Sequence, residues 1–520
     1  MTVSIDLDFG IIADLVHAHA LEAPRRLALV MGDQQLDYAT LDAEMDRVAC
    51  ALQRDGLQAG DAIAVCAGMS IAFAVVFLGA LRAGVVVAPL APGAGQRSLH
   101  RMVEDARARR VFVDAAGAEA LGADTPGDAV PRIALDACGT GKPLALWLAA
   151  GGERPRAVLV QPASPFNIIY SSGTTGEPKG IVQPHGMRWA HVRRGAAYAY
   201  TSDMIALVST PLYSNTTLVV VFPTLAAGGT LVLMPKFEVV GFLALAQAHR
   251  ITHAMLVPVQ FQRLMAWPGF DGFDLSTFRM KFCTSAPFPA ALKADVLRRW
   301  PGGLVEYYGM TEGGGTCILE AHNFPHKLHT VGRPAQGHDI RLIDEHGIQV
   351  APGGTGEVVG RSGGMMTGYH GQPERTREAE WFDPQGARFI RTGDIGCFDA
   401  DGYLTLLDRK KDMVISGGFN IYPSDLEDVV RAHPAVLEVA VVGVPSERWG
   451  ETPVAFVVLR AVPPSVHSGD DLLRWANARL GKIQRLDSLY IVDELPRSAI
   501  GKVLKRELRD LLKNRPGERQ

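Results

Sequence analysis

Cysteine is scarce and scattered. Cys50, Cys66, Cys138, Cys283, Cys317 and Cys397 are the six in 520 residues, with no Cys-x-x-Cys pair and no histidine cluster at zinc spacing. Neither a disulfide scaffold nor a thiolate metal site is therefore expected, and a reducing cytoplasm fits. Charge of one sign is lacking too. Lys and Arg number 52 against 55 Asp and Glu, a formal net charge of −3. No long basic run offers the footprint a nucleic-acid backbone needs, so no nucleic-acid partner is expected. The opening MTVSIDLDFG lacks the basic start and apolar core of a secretory signal, and a cytoplasmic location is expected.

Uninterrupted apolar spans are missing as well. Residues 62–81 are long enough to cross a bilayer, but Gly68-Met69-Ser70 divides them into a strand, AIAVCA, and a helix capped by Ser70. Residues 204–235 are broken by Pro211, Ser214, Asn215, Pro223 and Gly228-Gly229. They read as short segments of a buried parallel sheet, and no membrane span is expected. Apolar residues at 47% and charged residues at 21% describe a globular protein rather than a disordered or fibrous one.

Along residues 27–90, short apolar strands (LALVMG, AIAVCA, VVVAPL) alternate with helical patterns at 41–52 and 71–81. This is the alternation of βαβ units. Residues 117–156, rich in Ala, Gly, Pro and Asp, read as a connection with some helix. Strands and helices alternate again through 205–305, where 255–257 and 282–284 are strand ends entering Pro-containing loops. Ligands of open α/β sheets favour such ends. After Gly332 the texture changes to short β segments, IRLID, GEVVG, FIRTGD and YLTLLD, which predict a small β unit. A charged run, DRKKD at 408–412, marks a boundary. Beyond it, Ser424 and Glu427 have capping-box spacing, Leu426, Val429 and Val430 mark a helix face, and two strands follow. The expected fold is α/β: a large N-terminal domain (1–408) of doubly wound sheets plus the small β unit, then a smaller α+β C-terminal domain (413–520).

The stretch YSSGTTGEPKG, residues 170–180, carries the densest chemical signal. Glycines expose backbone amides, Ser171, Ser172, Thr174 and Thr175 add hydroxyl donors, and Lys179 adds positive charge. That inventory suits phosphate oxygens. It is not a Walker A loop, because Lys179 is followed by Gly180 and no hydroxyl; Gly141-Lys142-Pro143 fails the same test. Gly, Ser, Thr and Pro also mark ordinary surface turns. Here FNIIY reads as a strand feeding the loop and Gly180-Ile181-Val182 as a strand leaving it, so both ends are held.

Together with YYGMTEGG (307–314), RTGD (391–394) and LPRSAIGKVLKREL (495–508), this loop resembles the adenylate-forming, AMP-binding superfamily, specifically its acyl-CoA synthetases. The resemblance covers nearly the whole chain. It implies that ATP and a small-molecule carboxylate give an acyl-adenylate and pyrophosphate, after which a thiol takes the acyl group and AMP leaves. ATP, Mg2+ and coenzyme A, the last as co-substrate, are the implied small molecules.

The resemblance also implies roles residue by residue. Ser171, Ser172, Gly173, Thr174, Thr175 and Lys179 would hold the β and γ phosphates. Tyr308 would stack on adenine, Thr311 would bond the α-phosphate and Glu312 would help hold magnesium. CTSAPFP (283–289) resembles the adenine loop, though it is poorer in glycine than usual, with Ser285 and Ala286 offering backbone contacts. Asp394 would accept from the ribose hydroxyls and Arg409 would approach them. Lys502 would bridge carboxylate and phosphate, offsetting the repulsion of two anions. A mobile C-terminal domain would swing about a hinge at 409–412 containing Lys411. Gly417 and Gly418 would admit a pantetheine arm, although a glycine pair also makes a plain turn. For His185, a site contact and a packed loop histidine are equally compatible with the sequence.

The matching acyl segments are 213–219, 257–260, 283–285 and 309–315. They contain no Lys or Arg, which favours a monocarboxylate with an apolar body over a dicarboxylate. Tyr213, Thr284, Gly309 and Met310 are the expected substrate contacts, for an aromatic, alicyclic or medium-chain acid. Many relatives carry histidine near Ser214, and its absence leaves the acid unnamed. No carrier domain follows the Lys502 segment, which favours CoA as acceptor. The alternatives are a separate carrier protein, an oxidative second step, or a non-catalytic acyl or nucleotide sensor; the last should have lost Lys502 or Glu312, and both are present. A homodimer stays open.

Overall fold

The computed structural model describes residues 4–122, 130–172, 178–416, 419–446, 448–460, 468–481, 484–498 and 501–513. Two compact units divide the chain. The first takes residues 1–340 and 359–391, the second 341–358 and 392–520.

The first unit holds two large sheets. One is ordered Arg333–Pro334, Cys317–Glu320, Gly303–Tyr308, Met280–Cys283, His253–Leu256, Ile205–Val208, Thr230–Leu233, Leu27–Met31 and Gln34–Asp37. The other is ordered Gly368–Tyr369, Pro178–Pro184, Pro165–Ser172, Val86–Leu90, Ala62–Cys66, Ala108–Val113, Arg132–Ala134 and Lys142–Pro143. Ala62–Cys66 and Val86–Leu90 are buried along their whole length and pair in parallel. Continuous apolar runs are what such doubly covered strands require.

Ser70 caps the helix Ile71–Arg82 by accepting the Phe73 amide at 3.1 Å, as its position predicts. That helix crosses Tyr38–Arg54 so closely that a Cβ on Gly79 would lie 2.5 Å from Val48. The expected connection 117–156 adds two short strands at one end of a sheet, Arg132–Ala134 and then Lys142–Pro143 at its edge, to its helices. The expectation of sheet segments throughout 204–235 is corrected: strands Ile205–Val208 and Thr230–Leu233 flank a helix, Asn215–Ala226, with Pro223 inside it. A run that is apolar on every side fits a buried helix as well as a buried strand, and length decides.

Four strands of the first sheet, Ile205–Val208, His253–Leu256, Met280–Cys283 and Gly303–Tyr308, lie side by side and parallel. Their carboxyl ends therefore open on one edge, and the segments 209–216, 257–260, 284–289 and 309–316 leave from it. This edge is where open α/β sheets bind ligands.

In the second unit, Phe419–Ile421, Val414–Ser416, Gly450–Leu459 and Val436–Ser446 form an antiparallel sheet, and Ser488–Ile491 joins Gly450–Leu459 in parallel. All four β segments expected after Gly332 are found in strands. The capping box at Ser424 and Glu427 is not formed. The helix Pro423–Arg431 is capped at Tyr422 and so starts two residues earlier than a Ser424 cap would set it, with proline in its first turn. Ser424 Oγ donates instead to the Leu407 carbonyl, while Glu427 accepts the Val441 amide at 2.8 Å and pairs with Lys505 at 2.9 Å. Among the described residues no helix is long and apolar enough to cross a membrane.

Candidate active site

The strand Pro165–Ser172 leads into the Gly/Ser/Thr loop and Pro178–Pro184 leads out, paired antiparallel with Ser171 opposite Lys179. The strand frame around the loop is therefore as expected. Gly173, Thr174 and Thr175 lie outside the described residues, as do Gly417 and Gly418 in the second unit. Lys179 Nζ sits 4.9 Å from the ring centre of Tyr369. The hydroxyl of the same tyrosine donates to Glu312 Oε1 at 2.9 Å. Tyr369 thus ties the lysine of the first motif to the carboxylate of the second. It comes from a strand 57 residues beyond Glu312, and the sequence gives no local signal for it.

The loop carrying Tyr308, Gly309, Met310, Thr311 and Glu312 is held from below. Gln183 Nε2 donates to the Thr311 carbonyl at 2.7 Å and to Asn215 Oδ1 at 3.1 Å. Gln183 Oε1 in turn accepts from Asn167 Nδ2 at 2.9 Å and from the guanidinium of Arg188. Arg188 is fully buried between the rings of Phe166 and Phe222, and burial lowers its pKa to about 9. The Glu312 carbonyl accepts the Met366 amide at 2.8 Å. Gly313 has φ +77°, and a Cβ there would lie 2.3 Å from the Gly364 carbonyl, so this turn demands glycine. Met310 packs against Ile181, Met366, Tyr369 and Ile390. His185 is buried, and burial lowers it to about 4.

The neighbouring strand end brings Thr284, Ser285 and Ala286 to the same edge. Thr284 Oγ1 donates to the Tyr307 carbonyl at 2.9 Å, and Ser285 Oγ lies 2.6 Å from Thr216 Oγ1. Ser285 has φ +84°, a left-handed conformation more easily adopted by glycine. The site keeps the backbone shape and adds a hydroxyl at some conformational cost. Tyr213 is half-buried, and burial raises its pKa.

In the second unit, Asp394 and Arg409 face each other across an antiparallel pair, with Nε of Arg409 2.9 Å from Oδ1 of Asp394. Thr392 Oγ1 accepts the Asp394 amide at 3.0 Å. Lys411 stands on an exposed turn, and partial loss of hydration lowers its pKa. Lys502 follows a turn pinned by Arg497, whose Nη1 donates to the Gly501 carbonyl at 2.6 Å and whose Nη2 pairs with Glu438 at 2.7 Å. Lost hydration and the charges of Arg409 and Lys411 lower the Lys502 ammonium to about 8, although the residue as a whole is exposed. A cation with a depressed pKa beside a carboxylate is characteristic of functional sites.

Among the described residues, no group of three His, Cys, Asp or Glu is arranged to hold a metal. A lone carboxylate such as Glu312, tied through Tyr369 to Lys179, fits magnesium, which keeps its waters and binds through one or two carboxylates plus substrate phosphates.

Comparison with known proteins decides the kind of enzyme. The AMP-binding enzyme model matches residues 16–370, and the AMP-binding enzyme C-terminal domain model matches 425–502. The chain belongs to the AMP-binding enzyme family. A feruloyl-CoA synthase of an Amycolatopsis species is 34% identical over 497 residues, covering 94% of this chain and 96% of that protein. An indoleacetate–CoA ligase of Aromatoleum aromaticum is 32% identical, covering 96% and 98%. The structure of ATP-bound MatB from Rhodopseudomonas palustris superposes with a TM-score of 0.85 at 30% identity, covering 96% of this chain and 99% of that one. This member is an adenylate-forming enzyme of the AMP-forming acid–thiol ligase type.

One element that sequence reasoning missed is the helix His185–Gly195. It places Arg194 with its guanidinium 5.1 Å from the ring centre of Tyr307, beside Thr284 and next in sequence to Tyr308. The segments expected to border the acyl group carry no Lys or Arg, and this helix brings the Arg194 guanidinium against Tyr307, which adjoins them.

Proposed function

We propose that this enzyme joins an aromatic or alicyclic monocarboxylic acid to coenzyme A at the expense of ATP. In the first step, a carboxylate oxygen of the acid attacks the α-phosphorus of ATP. The bond to the β-phosphate oxygen breaks and pyrophosphate leaves. In the second step, the CoA thiolate attacks the acyl carbon and AMP departs with the bonding pair. The observation that carries this reading is the convergence of Lys179, Thr311 and Glu312 through Tyr369 and Gln183.

A carboxylate is a poor electrophile, and two anions must meet. Catalysis then rests on placing positive charge and hydrogen-bond donors where phosphate charge accumulates. Ser171, Ser172, Gly173, Thr174, Thr175 and Lys179 take the β and γ phosphates. Thr311 bonds the α-phosphate, Tyr308 stacks on adenine, and Ser285 and Ala286 border the base. Glu312 holds the magnesium, which supplies charge neutralisation at the phosphates. Asp394 and Arg409 serve the ribose. Lys502 neutralises the approach of carboxylate to phosphate, and the segment 409–412 with Lys411 is the hinge about which the C-terminal domain exchanges the two half-reactions. Gly417 and Gly418 leave room for the pantetheine arm.

Tyr213, Thr284 and Gly309 border the acyl group. Phe282, fully buried, stacks behind Tyr307 with the rings 5.7 Å apart and inclined by 15°, and the half-buried ring of Tyr307 gives this side an apolar surface that suits a ring. The two relatives named for ferulate and indoleacetate support the same class.

The test is mass spectrometry of reactions containing ATP, magnesium, CoA and a panel of aryl, alicyclic and short- to long-chain acids. Formation of an aryl- or alicyclic-CoA with AMP is expected. Acyl-AMP without any thioester would overturn CoA as the acceptor and point to a carrier protein. Selective use of long-chain acids would overturn the ring preference.

A further inference from the structure

Behind Tyr307 lies a group of hydrogen-bond donors that the reaction does not use. His191 and Arg194 are three residues apart on the helix His185–Gly195 and so share a face. The guanidinium of Arg194 stacks on Tyr307, and no carboxylate among the described residues pairs with it. His338 accepts the Thr316 amide on Nδ1 at 2.9 Å, which leaves its Nε2 carrying the proton as a donor. His191 Nδ1 is buried without a partner. Burial holds both imidazoles neutral at physiological pH, His338 at about 4 and His191 well below its ordinary value.

This group adjoins the expected acyl contacts on two sides. The carbonyl of Tyr307 accepts from Thr284 Oγ1, and a Cβ on Gly309 would lie 3.4 Å from Thr316 Oγ1, whose own amide is the one held by His338. The charge of Arg194 is near enough to help lower the His338 imidazole, and a guanidinium that no described carboxylate pairs with is incomplete without an acceptor. Glu320, whose charge acts on Tyr307, has both oxygens engaged, by the Tyr198 hydroxyl at 3.4 Å and Asn323 Nδ2 at 2.9 Å. Its charge disfavours a second anion here and leaves a neutral oxygen as the better occupant.

We propose that Arg194 and His338 form a subsite that reads an uncharged oxygen, a hydroxyl, alkoxy or carbonyl group, at the end of the acid remote from the reacting carboxylate. This rests on the acid–CoA ligase reading. It narrows the substrate to ring acids bearing a distal oxygen.

Matched pairs test it: cinnamic against 4-hydroxycinnamic acid and phenylacetic against 4-hydroxyphenylacetic acid, each with a 4-carboxy analogue. Pyrophosphate release reads adenylation and mass spectrometry reads acyl-CoA. The wild-type enzyme is expected to favour the hydroxylated acid about tenfold or more in kcat/KM, the scale of a hydrogen bond to a charged donor. Arg194→Met should bring that ratio close to one, through a loss falling on the hydroxylated member. Arg194→Lys should keep part of it, and a thermal melt of each variant checks folding. An equal ratio in wild type and Arg194→Met overturns the subsite, as does a wild type without oxygen preference, while the ligase reading stands. A 4-carboxy acid used as well as the hydroxylated one overturns the uncharged assignment. Pyrophosphate release with no acid in the wider panel would overturn the ligase reading, and the subsite with it.

Discussion

The hydroxyl of Tyr369 donates to Oε1 of Glu312 at 2.9 Å, and the ring of the same tyrosine lies beneath Lys179 Nζ. One phenol therefore fixes the carboxylate assigned to magnesium and steadies the lysine assigned to the phosphates. Tyr369→Phe keeps the ring and removes the hydrogen bond. Glu312 then samples other rotamers, and the loss is expected in metal use rather than acid use. The magnesium concentration for half-maximal adenylation should rise several-fold, as losing about 1 kcal/mol implies. An unchanged magnesium titration would remove Tyr369 from the site.

Lys502 gives a pH signature. In its proposed role the ammonium, lowered to about 8, is the form that would offset the anions, and it is present below that pH and lost above it. The adenylation rate is therefore expected to fall as pH rises through about 8, approaching tenfold per unit. Because Arg409 is one of the charges depressing the ammonium, Arg409→Ala should move this alkaline limb to higher pH while changing the rate for its own reasons. Lys502→Ala should slow adenylation by about 10²- to 10³-fold, the scale of a lost transition-state charge. It should largely spare thioester formation from a supplied acyl-adenylate. Equal loss of both half-reactions would contradict the assigned role.

Much of this was legible in the sequence, and the failures have a common cause. The two strands that flank the Gly/Ser/Thr segment, the Ser70 cap and the four β segments after Gly332 depend on local pattern, and local pattern suffices for them. Ser424 and Glu427 also have the local pattern of a capping box. Their side chains are claimed by Leu407, Val441 and Lys505, partners that sequence spacing does not reveal. Arg194 failed for the same reason. Nothing in HGMRWAHVRRG says that its last arginine meets Tyr307, more than a hundred residues away. Tyr369 and Gln183, which position Glu312 and Thr311, are likewise tertiary facts.

Gly309 tests the shape of the acyl side. A Cβ there would stand 3.3 Å from the Gly315 carbonyl oxygen and 3.4 Å from Thr316 Oγ1, close but not impossible. Gly309→Ala should therefore fold, with a melting temperature near wild type, while the displaced 315–316 segment narrows the space for a ring. We expect kcat/KM for ring acids to drop about tenfold and that for acetate or propionate to drop less, since one methyl in a pocket is worth roughly 1–3 kcal/mol. An equal drop for both classes would place Gly309 away from the acyl group.

The last prediction concerns a buried pair beneath the site. Lys293 and Glu306 form an ion pair with both side chains almost fully buried, and the lysine also donates to the Leu328 and Thr330 carbonyls at 2.8 and 3.0 Å. Burial raises the Glu306 carboxyl to about 7, with Lys293 opposing the shift. Removing the lysine leaves the carboxyl without its cation, so its folded-state pKa must rise further. In the unfolded chain that carboxyl is ionised above its ordinary value of 4.5. Above that pH the folded variant must hold a proton that the unfolded chain has released, and its stability falls as pH rises. Lys293→Met should therefore be destabilised at every pH, by about 3–5 kcal/mol near neutrality. Its deficit should be larger at pH 8.5 than at pH 5.5 in urea unfolding. A deficit that stayed constant or shrank toward alkaline pH would mean that Lys293 acts by packing and not by charge.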